Sequence, residues 1–136
     1  MGPGGMQKAM SVLADYFAGR QDVETHLVLY GISHEVFFRL PENVSLHTPD
    51  FVFNNKLRFI STIKTLLFLR RRVRELAPSS VLSYGEYWNS FVLIALFGLK
   101  FPVFVSDRCQ PDKSLGKLHD FLRKILYPRA AGIITQ

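Results

Sequence analysis

Three short stretches combine residue types and spacing that could do chemistry. The first is the opening turn, Met1-Gly2-Pro3-Gly4-Gly5. Gly4 and Gly5 carry no side chain, so backbone amides there can approach a phosphate closely. A helix that follows adds partial positive charge at its N-terminus. The same spacing equally fits a tight strand-to-helix turn with no ligand. The second stretch is Gly85-Glu86-Tyr87-Trp88-Asn89, just after a short apolar run. In open α/β sheets, ligands sit outside the carboxyl ends of the strands. Glu86 and its neighbour Tyr87 are placed to meet a hydroxyl group there. The alternative for Glu86 is enrichment of a helix first turn. For Trp88, stacking on a sugar face competes with an ordinary core position, and the core position is favoured. The third stretch is Ser106-Asp107-Arg108, also at a predicted strand end. Asp107 could hold a hydroxyl, and the planar fork of Arg108 could hold a phosphate or carboxylate. An Asp107–Arg108 pair that merely fixes the loop is the competing reading.

Other reactive side chains give weaker signals. His26 alternates within a predicted strand and His119 lies on a predicted helix, so both read as structural or solvated. Cys109 is the one cysteine. It excludes an intrachain disulfide and a site of several thiolates, fits a reducing compartment, and has no evident partner to lower its pKa. No metal site is expected.

The elements that must position these residues follow from periodicity. Met6, Ala9, Met10, Leu13, Ala14 and Phe17 form one face of a helix, with Gly19 expected as a left-handed C-cap. Val23 to Tyr30 reads as a strand, His34 to Leu40 as a second extended segment, and Val44 to His47 as a short strand. Leu57 to Leu76 is the longest helix, ended by Pro78. Phe59, Ile63, Leu66, Leu69, Val73 and Leu76 are its expected core stripe. Val81 to Tyr84 is a strand. Asn89 to Phe97 is an apolar helix ending at Gly98, and Pro102 to Ser106 is a strand. The polar loop from Asp107 leads to a helix over Leu115 to Tyr127, with Leu118, Phe121, Leu122, Ile125 and Leu126 expected inward. Ala131 to Thr135 begins one more strand. Alternation of strand and helix in the second half predicts a parallel sheet wrapped by helices.

The 136 residues suffice for one domain, and 48% hydrophobic composition supports a real core. The formal net charge is +6 and the pI about 9.7. Such a balance favours acidic partners: nucleotide phosphates, anionic lipid or nucleic acid. The longest apolar run, Phe91 to Leu99, is too short to span a bilayer. The first five residues lack the pattern of a signal peptide.

Together these motifs resemble group 1, subfamily-4-like, glycosyltransferases. The similarity rests on Gly2 to Met10 followed by Leu13-Ala14-Asp15-Tyr16-Phe17, then Leu40-Pro41-Glu42-Asn43-Val44 and Pro78 to Ser83. It continues through Pro102 to Arg108 and closes on Leu126-Tyr127-Pro128-Arg129-Ala130-Ala131-Gly132-Ile133-Ile134. The matches run through almost the whole chain in order. The resemblance implies an α/β fold, a Rossmann-like parallel sheet flanked by helices. It would be the amino-terminal, acceptor-side half of a GT-B fold, residues 1–136 as a single truncated domain without its first strand. It implies a retaining transfer of sugar from a nucleotide-sugar donor to a carbohydrate or lipid-linked acceptor, such as a bacterial cell-envelope polysaccharide. Gly4 and Gly5 would lie near the donor diphosphate. Glu86, Tyr87, Asp107 and Arg108 would line the acceptor side. Many relatives carry a histidine where Asp107 or Arg108 stands here. Most donor contacts, and the catalytic residues among them, would belong to an absent carboxy-terminal domain. No cofactor is implied, since the nucleotide sugar is a substrate.

Two other classes compete. A Rossmann-type oxidoreductase needs a third glycine that GPGGMQ lacks. A binder of nucleic acid or membrane draws on Arg70-Arg71-Arg72 and Arg74, but no nucleic-acid motif accompanies them. On the long helix, Leu57, Ile60, Leu67 and Phe68 lie off the core stripe beside Lys64, Arg71 and Arg72. An apolar face edged by cations suits a lipid interface. The expected location is therefore cytoplasmic, with attachment to the inner membrane face through Lys64, Arg71 and Arg72 as the membrane-surface reading.

Overall fold

The computed structural model describes residues 5–30, 36, 38–107 and 114–135, with the side chain of Glu86 outside the description. The chain forms two compact units, residues 1–65 and 66–136. In chain order the elements are α1 (Gly5–Ala18), β1 (Thr25–Val28), β2 (Val44–His47), α2 (Arg58–Leu76), β3 (Val81–Tyr84), α3 (Glu86–Ala95), β4 (Val103–Asp107), α4 (Lys117–Leu126) and β5 (Gly132–Thr135). Short 3-10 turns precede α2 at Asn55–Leu57 and follow α4 at Tyr127–Arg129.

In residues 1–65, β1 and β2 pair in parallel, with Thr25 opposite Val44 and Val28 opposite His47. The core is small: Ala14 and Ala18 of α1 bury against Val44, with Leu27 and Leu40 packed around them. Alanines let the helix approach the sheet closely. Gly19 ends α1 without the expected left-handed turn, since positive φ among the described glycines occurs only at Gly85, Gly98 and Gly116. The helix end is satisfied from elsewhere: Asn43 Nδ2 donates to the Ala18 carbonyl at 2.6 Å. A side-chain amide supplied by the loop before β2 replaces the glycine device. Of the extended segment expected over 34–40, residues 34, 35 and 37 lie outside the described residues, and 36 and 38–40 form no strand.

In residues 66–136, the order is β3-β4-β5, all parallel. β3 and β4 are each followed by a helix, and α3 and α4 pack on each other. The fold is α/β, Rossmann-like, with parallel sheets flanked by helices. Val105, fully buried, is the centre of the middle strand. Gly98, at φ 79, ends the turn after α3 as only glycine does at low cost. Arg70 closes that helix end by donating to the carbonyls of Ala95 and Phe97 at 3.1 and 2.6 Å.

Two helices bury only part of their expected faces. On α2 the buried positions are Ser61, Thr65, Leu69 and Val73, whereas Phe59 is 77% exposed and Ile63 is exposed too. The two hydroxyls fit inside because each has a partner. Thr65 Oγ1 donates to the Ser61 carbonyl at 2.8 Å, and Ser61 Oγ accepts from the Asn54 amide at 3.1 Å. On α4, Leu118, Phe121 and Ile125 are exposed, while Leu126 is buried. Arg123 is turned inward instead, drawn to a buried carboxylate described below.

Candidate functional site

The carboxyl ends of β3 and β4 lie side by side, because Tyr84 is in register with Ser106. This is where a parallel sheet presents ligand sites. Beyond Tyr84 the chain turns sharply at Gly85, whose φ of 110 favours glycine, and enters α3 at once. No side chain caps this helix. Trp88 donates its amide to the Gly85 carbonyl, but a glycine N-cap offers no side-chain acceptor to the first-turn amides, and the positive end of the helix dipole lies there, a disposition that suits an anionic or strongly polar oxygen.

Glu86 is the first residue of α3. Tyr87 follows, half exposed, and stands edge-on to the His119 ring with centroids 5.3 Å apart and planes at 86°. The structure thus joins a sequence candidate to a histidine that the sequence assigns no role. His119 Nδ1 is buried without a hydrogen-bond partner. Trp88 does not take the core position favoured for it. It is 37% exposed and edge-on to Phe91 at 5.8 Å. Asn89, Ser90, Val92 and Leu93 supply the buried face of α3 instead.

Asp107 ends β4 and is 5% exposed. Its Oδ2 accepts from Arg123 Nη2 at 2.6 Å. The arginine that holds it therefore comes from α4, not from the neighbouring Arg108, which lies outside the described residues. Burial opposes the charge on Arg123, but the Asp107 carboxylate outweighs it and Tyr127 adds to the effect, so the guanidinium pKa is raised. The Arg123 guanidinium also lies 5.4 Å from the Tyr127 ring centroid. Burial, foremost, pushes the Tyr127 hydroxyl above its ordinary pKa.

Asn89 ties these elements together, and sequence reasoning missed it. It is completely buried. Its Oδ1 accepts from Ser83 Oγ at 2.8 Å. Its Nδ2 donates to the Ser106 carbonyl at 2.9 Å and to the Tyr127 hydroxyl at 3.2 Å. One amide thus links β3, β4 and the turn after α4. The only sequence signal was an asparagine on the inward face of an apolar helix, where an unpaired amide is costly. Ser106 Oγ is buried without a partner.

At the entry to α4, Asp120 accepts from Ser114 Oγ at 2.5 Å and from the Leu115 amide at 3.1 Å. The Ser114 bond, then the amide bond, hold its carboxyl below the usual aspartate range. This arrangement fixes the loop end from which Arg123 is aimed.

The remaining sequence candidates belong to other elements. Gly4 lies outside the described residues. Gly5 is the first residue of α1, with no heavy atom within 4 Å of where a Cβ would stand. Lys64 is exposed on α2. Arg71 and Arg72 both engage Glu75, at 2.8 and 3.3 Å. The Arg71 bond, the leading influence, lowers the Glu75 pKa. His26 Nδ1 stands 3.1 Å from His47 Nε2, with Glu24 at 3.2 Å from His26 Nε2. Among the described residues no group of three or more His, Cys, Asp or Glu could hold a metal. Nor is any described helix long and apolar enough to cross a membrane.

No protein-family model matches the chain, and no curated protein matches it in sequence.

Proposed function

We propose that the chain is the acceptor-side part of a retaining glycosyltransferase that draws on a nucleotide-sugar donor. One observation carries the reading most: an uncapped, glycine-led helix N-terminus opens at the carboxyl edge of a parallel sheet, with half-exposed Tyr87 beside it. Open amides and an aromatic rim suit a sugar, which presents hydroxyls and an apolar ring face. The motif resemblance supplies the reaction class and the GT-B architecture, as a fold-level analogy. In this reading Glu86 and Tyr87 meet the acceptor. Asp107 is reassigned from acceptor contact to positioning, since its carboxylate is buried and held by Arg123. A donor-binding domain supplies the opposite wall of the cleft.

The test is saccharide binding to the chain itself, followed by the backbone amide signals of isotope-labelled protein. Titration with neutral disaccharides is expected to shift Glu86 and Tyr87. Transfer from sugar nucleotides by the chain alone is expected to be absent, because positioning needs both walls of a water-poor cleft. If about 10 mM saccharide, above the Kd near 1 mM of a weak site, moves neither signal, the acceptor assignment is wrong. Measurable transfer by residues 1–136 alone defeats the need for a second domain.

Attachment to an anionic membrane is a second reading, favoured by the exposure of Leu57 in the turn before α2 and of Ile60 and Leu67 on α2. The pairing of Arg71 and Arg72 with Glu75 reduces the positive charge available to it.

A further inference from the structure

Within residues 66–136, a cavity of about 250 Å³ opens at the amino ends of β4 and β5, the end of the sheet opposite the candidate site. Apart from one, its lining side chains are apolar: Leu93, Leu96, Phe97, Val103 and Leu126 are among them, with backbone polar atoms between them. Arg129 stands among them as the one charged lining residue. Its guanidinium carbon lies 4.8 Å from the centroid of the Phe97 ring. Among the described residues Arg129 makes no hydrogen bond or ion pair, so its five donors are available.

The charge at this end can be weighed. The carboxyl ends of α3 and α4 meet here, since Phe97 and Leu126 line the cavity. Each helix end carries roughly half a negative charge. Arg70 is bonded to the last carbonyls of α3 and offsets that end. Arg129 exceeds what remains, and Lys100 is exposed in the loop before β4. No acidic residue lines the cavity. Apolar side chains around an unspent guanidinium fit a ligand that is apolar along its length and anionic at one end.

We propose that this cavity binds a single-chain amphiphile with a carboxylate head, the chain lying against Leu93, Leu96 and Val103 and the head on Arg129. Size limits the chain. At roughly 30 Å³ for a water-sized group, the cavity holds about eight such groups, so the carbons of an eight-carbon acid fill it with the two carboxylate oxygens on Arg129. The guanidinium takes a carboxylate through two parallel hydrogen bonds while its face stays on Phe97. This inference is independent of the glycosyltransferase reading. It concerns the opposite end of the sheet and requires no sugar.

Isothermal titration of the chain with octanoate tests it, with octanamide and acetate as the uncharged and chainless probes. Octanoate is expected to bind at one site, and octanamide and acetate each at least tenfold more weakly. Arg129→Gln is expected to weaken octanoate about tenfold, and Arg129→Lys to restore part of the loss. Ala131→Trp places a bulky ring at the exposed rim and is expected to abolish binding while the thermal melt stays cooperative. Ala131→Leu, a smaller obstruction, keeps the test open if the Trp variant fails to fold. The proposal is overturned if octanoate does not bind, if octanamide binds as well as octanoate, if Arg129→Gln leaves the affinity unchanged, or if the folded rim variants still bind.

Discussion

At Asp107 a carboxylate is withdrawn from water and held by Arg123 at 2.6 Å. Removing one partner of such a pair strands the other, which typically costs about 3–5 kcal/mol, far more than the net worth of the pair. Asp107→Asn and Arg123→Met are each expected to destabilise the chain by about 3 kcal/mol. The double variant should cost less than their sum by about 1–3 kcal/mol. Urea unfolding of the four proteins measures this. Additive losses would mean that Arg123 does not hold the carboxylate. Asp107 was legible in the sequence as a candidate because it follows an apolar strand. Its partner was not, because Arg123 lies sixteen residues away and nothing local marks it. Asn89 was hidden for a related reason: its three bonds run to segments that only the fold brings near.

The helices show where periodicity succeeds and where it misleads. The extent of α2 agrees with its pattern to within a residue, since Pro78 and the apolar spacing are local properties. Its buried face agrees only at Leu69 and Val73, because counting only apolar residues passes over Ser61 and Thr65, whose hydroxyls are satisfied inside. Leu69→Ala is therefore expected to cost about 3 kcal/mol, as for a buried leucine. Phe59→Ser is expected to cost under about 0.5 kcal/mol, as for an exposed position. Thermal or denaturant melts of the two variants compare them directly. Similar large losses for both would restore the stripe read from the sequence. On α4 Arg123 faces Asp107 while Leu118 and Phe121 lie exposed, against the apolar pattern.

For the molecule as a whole, charge is the property that reaches furthest. The formal net charge of +6 and the exposed Leu57, Ile60 and Leu67 predict co-flotation with anionic vesicles at low ionic strength. Each basic residue near such a surface contributes about 1 kcal/mol. Binding should be lost near 1 M salt, where the Debye length falls to roughly 3 Å. Arg71→Glu with Arg72→Glu should weaken it, less than two free cations would, because Glu75 already pairs with both. Chain that stays at the bottom of the gradient with anionic vesicles at low salt rules out the membrane-surface reading. So does a double variant that floats like the original.

The sequence by itself determined the α/β class, the order of the elements and most of their bounds. Those depend on spacing along the chain, on prolines and glycines that stop a segment, and on apolar runs that become strands. β2 and β3 fall within the bounds read from the residues alone. Alternation in the second half also fixed the parallel direction of β3, β4 and β5, because a helix between two strands returns the chain to the same end. Only the tertiary structure decided which face each helix buries, which arginine holds Asp107, and that Asn89 joins two strands to a distant tyrosine. It also revealed the cavity beside Arg129. These are relations between residues far apart in sequence, and burial there is set by the sum of contacts and satisfied hydrogen bonds rather than by any residue's own polarity.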